Sequence, residues 1–287
     1  MSDEVTSLLK KYSFGQLNDR INALREVIQI IALKGLSKSG FFDHAFFYGG
    51  TALRIFYNLD RFSEDLDFSL MRPNDTFQSA SYIDIISQEL RNHDLNFVVN
   101  YKEKKKKTQI IQANVEGNLQ ENMRAAGLME PSYRAFDAGR KLKIRVEVDT
   151  APPDQFKTEN MRLPGFSKTS IRLATCEYLF ADKMHAFLYR RWGHRVKGRD
   201  WYDFTWYIEH GISLDLHHLQ ARMKQTDDMT KTSLSRDDLI KMIQEKIKIT
   251  DIEKVKNDIR PFLKDEKILD KWDENYFIEM TESIKTE

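Results

Sequence analysis

Apolar residues recur with two different periods along this chain. Over residues 16–38, Leu17, Ile21, Leu24, Val27, Ile28 and Ile31 return at threes and fours, the spacing of one helix face. Ala45-Phe46-Phe47-Tyr48 is short, apolar and stopped by two glycines, so it reads as a buried strand. Thr51 is placed to cap a helix over Ala52 to Tyr57. Asn58-Leu59-Asp60 reads as a turn and Leu66 to Leu70 as a second strand. A helix is expected around Tyr82 to His93. Strands follow at Asn96 to Tyr101 and Thr108 to Val115. Residues 141–149 alternate strictly: Leu142, Ile144, Val146 and Val148 point one way, Lys143, Arg145, Glu147 and Asp149 the other. Ala151-Pro152-Pro153 ends that strand.

From Thr175 the period becomes helical. Tyr178, Ala181, Met184 and Leu188 form one stripe. A further helix runs from Gly198 to His210, where Gly211 stops it. Residues 212–287 show only helical patterns, and Ser235-Arg236-Asp237-Asp238 resembles a capping box. The strand-bearing part is therefore N-terminal and the helical part C-terminal, with a boundary near residue 172. There is no internal repeat.

Length and composition fit a soluble globular chain. It has 287 residues, 41% hydrophobic and 31% charged, enough for one large or two modest domains. Lysine plus arginine number 45 against 44 acids, so net charge alone selects no polyanion partner. The single cysteine, Cys176, excludes an intrachain disulfide and fits a reducing compartment. It reads as a small buried residue, because no histidine motif surrounds it. The start, Met-Ser-Asp-Glu-Val, has no secretory character. No apolar run approaches the ~20 residues of a membrane span. A cytoplasmic location is expected.

The candidate chemistry lies on the second strand. Asp65 and Asp67, two residues apart, project from one face. Adjacent carboxylates repel, and a divalent cation relieves the repulsion. Alone, the pair is commonplace and fits a solvated strand face better than a metal platform. Upstream, strand, Gly49-Gly50-Thr51 and helix place backbone N–H groups at a helix start, which favours phosphate. Glu147 and Asp149 offer a third carboxylate if their strand lies beside Asp65 and Asp67; with Lys143 and Arg145 they also fit a wet strand face. Asp200 and Asp203 share a helix face. They either orient Lys183 or a bound base, or cap and charge the helix start, and residue spacing alone favours capping. The run Lys102 to Lys107 carries five lysines, which suit phosphate steering or a solvated hairpin end. Trp192, His194, Arg195 and Arg199 form a second basic and aromatic group suited to stacking, or core.

These segments together resemble a known family. Tyr48-Gly49-Gly50-Thr51-Ala52-Leu53 followed by Arg61-Phe62-Ser63-Glu64-Asp65-Leu66-Asp67-Phe68 resembles the AbiEii/AbiGii toxin family of the DNA polymerase beta-like nucleotidyltransferase superfamily. Val146 to Pro153 resembles its third acidic strand, Ala181-Asp182-Lys183-Met184-His185-Ala186 its lysine helix, and Arg199-Asp200-Trp201-Tyr202-Asp203 its final acidic helix. The resemblance spans roughly residues 45–210. Its pattern departs at Thr51, where many members have serine; the hydroxyl is kept.

The resemblance implies an α+β fold. A polymerase beta-like nucleotidyltransferase domain, a mixed sheet flanked by helices, would occupy 1–172. A C-terminal helical bundle, 173–287, would contribute Lys183 and Asp200 to the cleft. It implies catalytic roles for Asp65, Asp67, Lys183 and Asp200, and nucleotide binding by Gly49, Gly50, Thr51 and Lys183. It implies metal binding by Asp65, Asp67 and either Glu147 or Asp149. The implied cofactor is Mg2+ or Mn2+, and the implied substrate a nucleoside triphosphate. The implied acceptor is RNA, with the 3′ end of transfer RNA as the leading case. A cognate antitoxin is expected to be encoded nearby, and direct binding is not required in the type IV arrangement. No membrane partner is implied. Two competing readings keep the fold: transfer to a protein hydroxyl, and a non-catalytic nucleotide or RNA binder.

Overall fold

The computed structural model describes residues 2–102, 109–133, 138–153, 156–190, 196–226 and 233–287. The chain divides into two compact units. The first comprises Met1–Phe56, Phe62–Pro152 and Glu159–Leu173; the second comprises Tyr57–Arg61, Pro153–Thr158 and Ala174–Glu287.

The first unit carries a seven-stranded mixed sheet. Its strands are β1 (Ala45–Tyr48), β2 (Leu66–Leu70), β3 (Val98–Tyr101), β4 (Ile110–Asn118), β5 (Lys141–Asp149), β6 (Thr158–Leu163) and β7 (Phe166–Ala174). Their order is β3-β4-β5-β2-β1-β7-β6. β2 runs antiparallel to β1 and parallel to β5. Its helices are α1 (Asp3–Leu9), α2 (Leu17–Lys38), α3 (Gly49–Phe56), α4 (Ala80–Arg91) and α5 (Leu119–Ala125). α2 buries Ile21, Leu24, Val27, Ile28 and Ile31, as its spacing requires, and a Gln16/Asp19 capping box starts it. Ile83, Ile86 and Leu90 bury one face of α4.

β5 shows most directly how sequence sets the sheet. Leu142, Ile144, Val146 and Val148 are each no more than 2% exposed, while Lys141, Lys143 and Arg145 face solvent. That alternation fixes which face carries the charged residues, because a one-residue slip would invert every side chain.

The second unit holds α6 (Cys176–Tyr189), α7 (Gly198–Glu209), α8 (Leu216–Gln225), α9 (Arg236–Lys248), α10 (Ile252–Ile259) and α11 (Glu274–Glu282). The Ser235/Asp238 capping box forms as expected. Residues 212–287 are not purely helical. Ser213–Leu214 (β8) and Lys285–Thr286 (β9) pair in parallel, strands too short to leave a periodic signal.

Other expectations are corrected. The hairpin of β6 and β7 falls where no strand was expected. Pro164-Gly165 is its turn, and Gly165 takes φ +82°. α4 starts at Ala80 and ends at Arg91, two residues earlier than its apolar spacing suggested at each end. Thr51 is not a helix cap: α3 begins two residues earlier, at Gly49, because the glycines admit the turn. Most of the lysine run, and Trp192, His194 and Arg195, lie outside the described residues. No helix among the described residues is long and apolar enough to cross a membrane.

Candidate active site

The turn from β1 into α3 is built around one glycine. Gly49 has φ +80°, a conformation costly for any residue with a side chain. A Cβ there would also lie 2.5 Å from Asp67 Oδ2 and 3.2 Å from Asp67 Cβ. Gly49 therefore lets the Asp67 carboxylate lie against the start of α3. The N–H groups of Gly49, Gly50 and Thr51 begin that helix and have no intrahelical acceptors. Thr51 is buried, and its hydroxyl donates to the Asp65 carbonyl. Its side chain ties the turn to the aspartate segment instead of facing outward as a phosphate donor.

Register arranges the acids. Asp67 lies opposite Tyr48 on β1 and opposite Glu147 on β5. Asp149 lies one side-chain repeat further on, opposite Ser69. Asp65 immediately precedes β2, two residues from Asp67. Asp65, Asp67 and Glu147 are half-buried, whereas Asp149 is 8% exposed and accepts the Ala151 N–H at 2.9 Å. Glu147 accepts from Gln112 Nε2 at 2.8 Å and pairs with Arg145 Nη1 at 3.4 Å. Burial pulls the Arg145 guanidinium down, yet Asp65, Glu147 and Asp67 together hold it above its usual value. A protein cation thus sits in the field of the same carboxylates. Among the described residues, no three His, Cys, Asp or Glu side chains are gathered closely enough to hold an ion by themselves.

The second unit holds a different acidic group. Asp203 is fully buried and takes a two-pronged contact from Arg61, Nε to Oδ1 and Nη2 to Oδ2, both at 2.6 Å. Lys183 Nζ lies 2.9 Å from Asp203 Oδ2 and 3.0 Å from Asp200 Oδ1. Arg190 closes the chain on Asp200 Oδ2 at 3.0 Å. Burial alone would raise both acids, but Arg61 and Lys183 pull Asp203 down to about 2, and Lys183 and Arg190 lower Asp200. Lys183 is raised against its own burial by Asp200 and Asp203. Burial, with Lys183, Arg190 and Arg199 nearby, lowers Lys197 to about 8 against the opposing pull of Asp200.

The capping expectation for Asp200 and Asp203 is therefore corrected. Both point to Lys183, and the α7 N-terminus receives Asp258 Oδ2 on the Gly198 N–H at 2.8 Å. Spacing alone could not see this, because the lysine arrives from α6. Arg61 carried no assignment from sequence; an arginine two residues before the Ser-Glu-Asp segment was its only signal. Arg199 stacks its guanidinium over Phe262, 4.3 Å from the ring centre.

Comparison with known proteins gives a family match. The model of the AbiEii family, described as "Nucleotidyl transferase AbiEii toxin, Type IV TA system", matches residues 31–276. No curated protein matches significantly. Two solved structures from Helicobacter pylori are similar: JHP933, at 16% identity and TM-score 0.47, and a candidate nucleotidyltransferase, at 17% and 0.43. Each likeness covers 98% of this chain and 92% of the other.

Proposed function

Because the chain belongs to the AbiEii family of nucleotidyl transferase toxins of type IV toxin–antitoxin systems, we propose that Asp65, Asp67 and Glu147 are where this nucleotidyltransferase moves a nucleoside monophosphate from a triphosphate to an RNA acceptor. The observation that carries the reading is the juxtaposition of Gly49 and Asp67, with Glu147 opposite Asp67 in register.

The side chains suit a divalent cation. Hard carboxylates of Asp67 and Glu147 lie opposite each other on one sheet face, and with Asp65 their field raises Arg145. Asp65 and Asp67 would hold Mg2+ or Mn2+, with triphosphate oxygens and water completing the shell, as magnesium prefers. Glu147 is the better placed third acid, since Asp149 is turned to its own backbone. Bound there, such an ion would lower the pKa of an attacking hydroxyl and neutralise phosphate charge.

The chain's own groups supply position. The N–H groups of Gly49, Gly50 and Thr51 receive triphosphate oxygens at the α3 start. The Thr51 hydroxyl keeps Asp65 in place. An acceptor hydroxyl attacks the α-phosphate and pyrophosphate leaves, so catalysis is mostly alignment and charge. In the second unit, Asp200 and Asp203 keep the Lys183 ammonium charged against its own burial.

A family role in type IV systems implies an antitoxin. The acceptor is tested by incubating the protein with magnesium and each of four α-labelled triphosphates, against purified transfer RNA and against total protein. Label in RNA is expected. Label in protein alone would reject the RNA reading, and magnesium-independent binding without turnover would reject transfer.

A further inference from the structure

Away from the carboxylates, the first unit contains a cavity of about 480 Å3 beside the end of β2. Its wall includes His44, Arg72, Asn74, Phe77 and Arg172. The segment carrying Arg72 is fixed at both sides. Met71 N–H donates to the His44 carbonyl at 2.8 Å, and Asn74 N–H donates to the Thr150 carbonyl at 2.9 Å. The Asn74 side chain accepts from the Thr76 N–H and hydroxyl. Arg72 is exposed and Arg172 half-buried, and neither guanidinium has an ion pair or hydrogen bond among the described residues. Asp43, the acid in the wall, is exposed and pairs with neither.

The aromatic side of the cavity is equally ordered. Phe77 stacks on Tyr82, 5.6 Å between centres and 5° between planes. The His44 ring lies 6.3 Å from Phe77 and 5.9 Å from Tyr82. Two guanidinium groups beside an aromatic wall match the chemistry of single-stranded nucleic acid, where cations meet phosphates and rings meet bases.

Register places one residue of the wall, Arg172, on the carboxylate face. Phe47 pairs with Leu173, so Arg172 lies beside Phe46, which is opposite Ser69. Asp67 is one side-chain repeat from Ser69 on β2. Arg172 and Asp67 therefore belong to one sheet face, two interstrand steps and one repeat apart, about 12 Å.

We propose that this cavity seats a single-stranded segment of the RNA acceptor, phosphates at Arg72 and Arg172 and a base against Phe77 and His44. The inference rests on the transferase reading of Asp65 and Asp67, and binding separates the two. Anisotropy of a short fluorescein-labelled single-stranded RNA, without triphosphate, is followed against salt for the full chain. Arg72→Gln/Arg172→Gln is expected to bind about tenfold more weakly near 0.1 M salt. Its log–log salt slope should fall by about 1.4, near 0.7 for each lost phosphate contact. Phe77→Leu should weaken binding without changing the slope, and both variants should keep magnesium-triphosphate binding. Unchanged RNA affinity and slope in the double variant would overturn the inference. So would a wild type that binds no RNA and labels only protein. Asp67→Asn should bind RNA like the wild type, so loss of its transfer activity reports on the carboxylates alone.

Discussion

Two acidic groups in this chain look alike in sequence and differ in physics. Asp65, Asp67 and Glu147 sit half-buried on a sheet face, beside a glycine turn and one partly exposed arginine. Asp200 and Asp203 sit inside the second unit, matched by Arg61, Lys183 and Arg190 at 2.6 to 3.0 Å. The first group is partly open to solvent. In the second, protein cations already meet both carboxylates. A buried charge needs its partners to tolerate desolvation, so the second group is expected to matter for folding at least as much as for chemistry.

Asp203→Ala should separate these roles most strongly. It strands the fully buried Arg61 guanidinium, and loss of one partner of such a pair costs about 3–5 kcal/mol. Denaturant unfolding would read it; a loss below about 1 kcal/mol would show that the network is not structural.

Glu147→Gln should lower metal affinity about 10- to 100-fold, the range for groups that support a metal's ligands. Asp149→Asn should change it much less, because that carboxylate is turned to Ala151. Metal titration of transfer activity compares the two. The reverse order would assign the third acid to Asp149.

Gly49→Ala should cost about 1–2 kcal/mol of stability from its left-handed backbone, and more activity than stability, since the new Cβ displaces Asp67. Thermal unfolding alongside transfer rate checks both.

The smallest effect concerns pH. Asp203 falls from 3.8 to about 2 on folding, so its contribution is present above pH 3.8 and is lost as pH falls through about 2. Lys183 is raised, so its contribution is present below 10.5 and is lost at pH above that. Acid unfolding should therefore steepen between about pH 4 and pH 2, and less so in Asp203→Asn.

Sequence made the first region far more legible than the second. Alternation in residues 141–149 set the face of Glu147, and Gly49-Gly50 before an aspartate pair marked the turn. These signals are local. The partnership of Glu147 with Asp67 needed the β2–β5 register, which no local pattern encodes. The pairing of Lys183 with Asp200 and Asp203 needed two helices, and Arg61 needed a third segment. Strands as short as β8 and β9 bury too little to leave a period. The hairpin at Pro164-Gly165 was readable from its turn dipeptide, and the flanking polar residues obscured it.

The division of roles is tested most directly by Asp67→Asn. Transfer of label from an α-labelled triphosphate is measured in magnesium, with thermal unfolding on the same sample. The expected result is a loss of transfer by about a thousandfold or more with the unfolding temperature unchanged. Wild-type transfer in that variant would contradict the assignment of the chemistry to this carboxylate face.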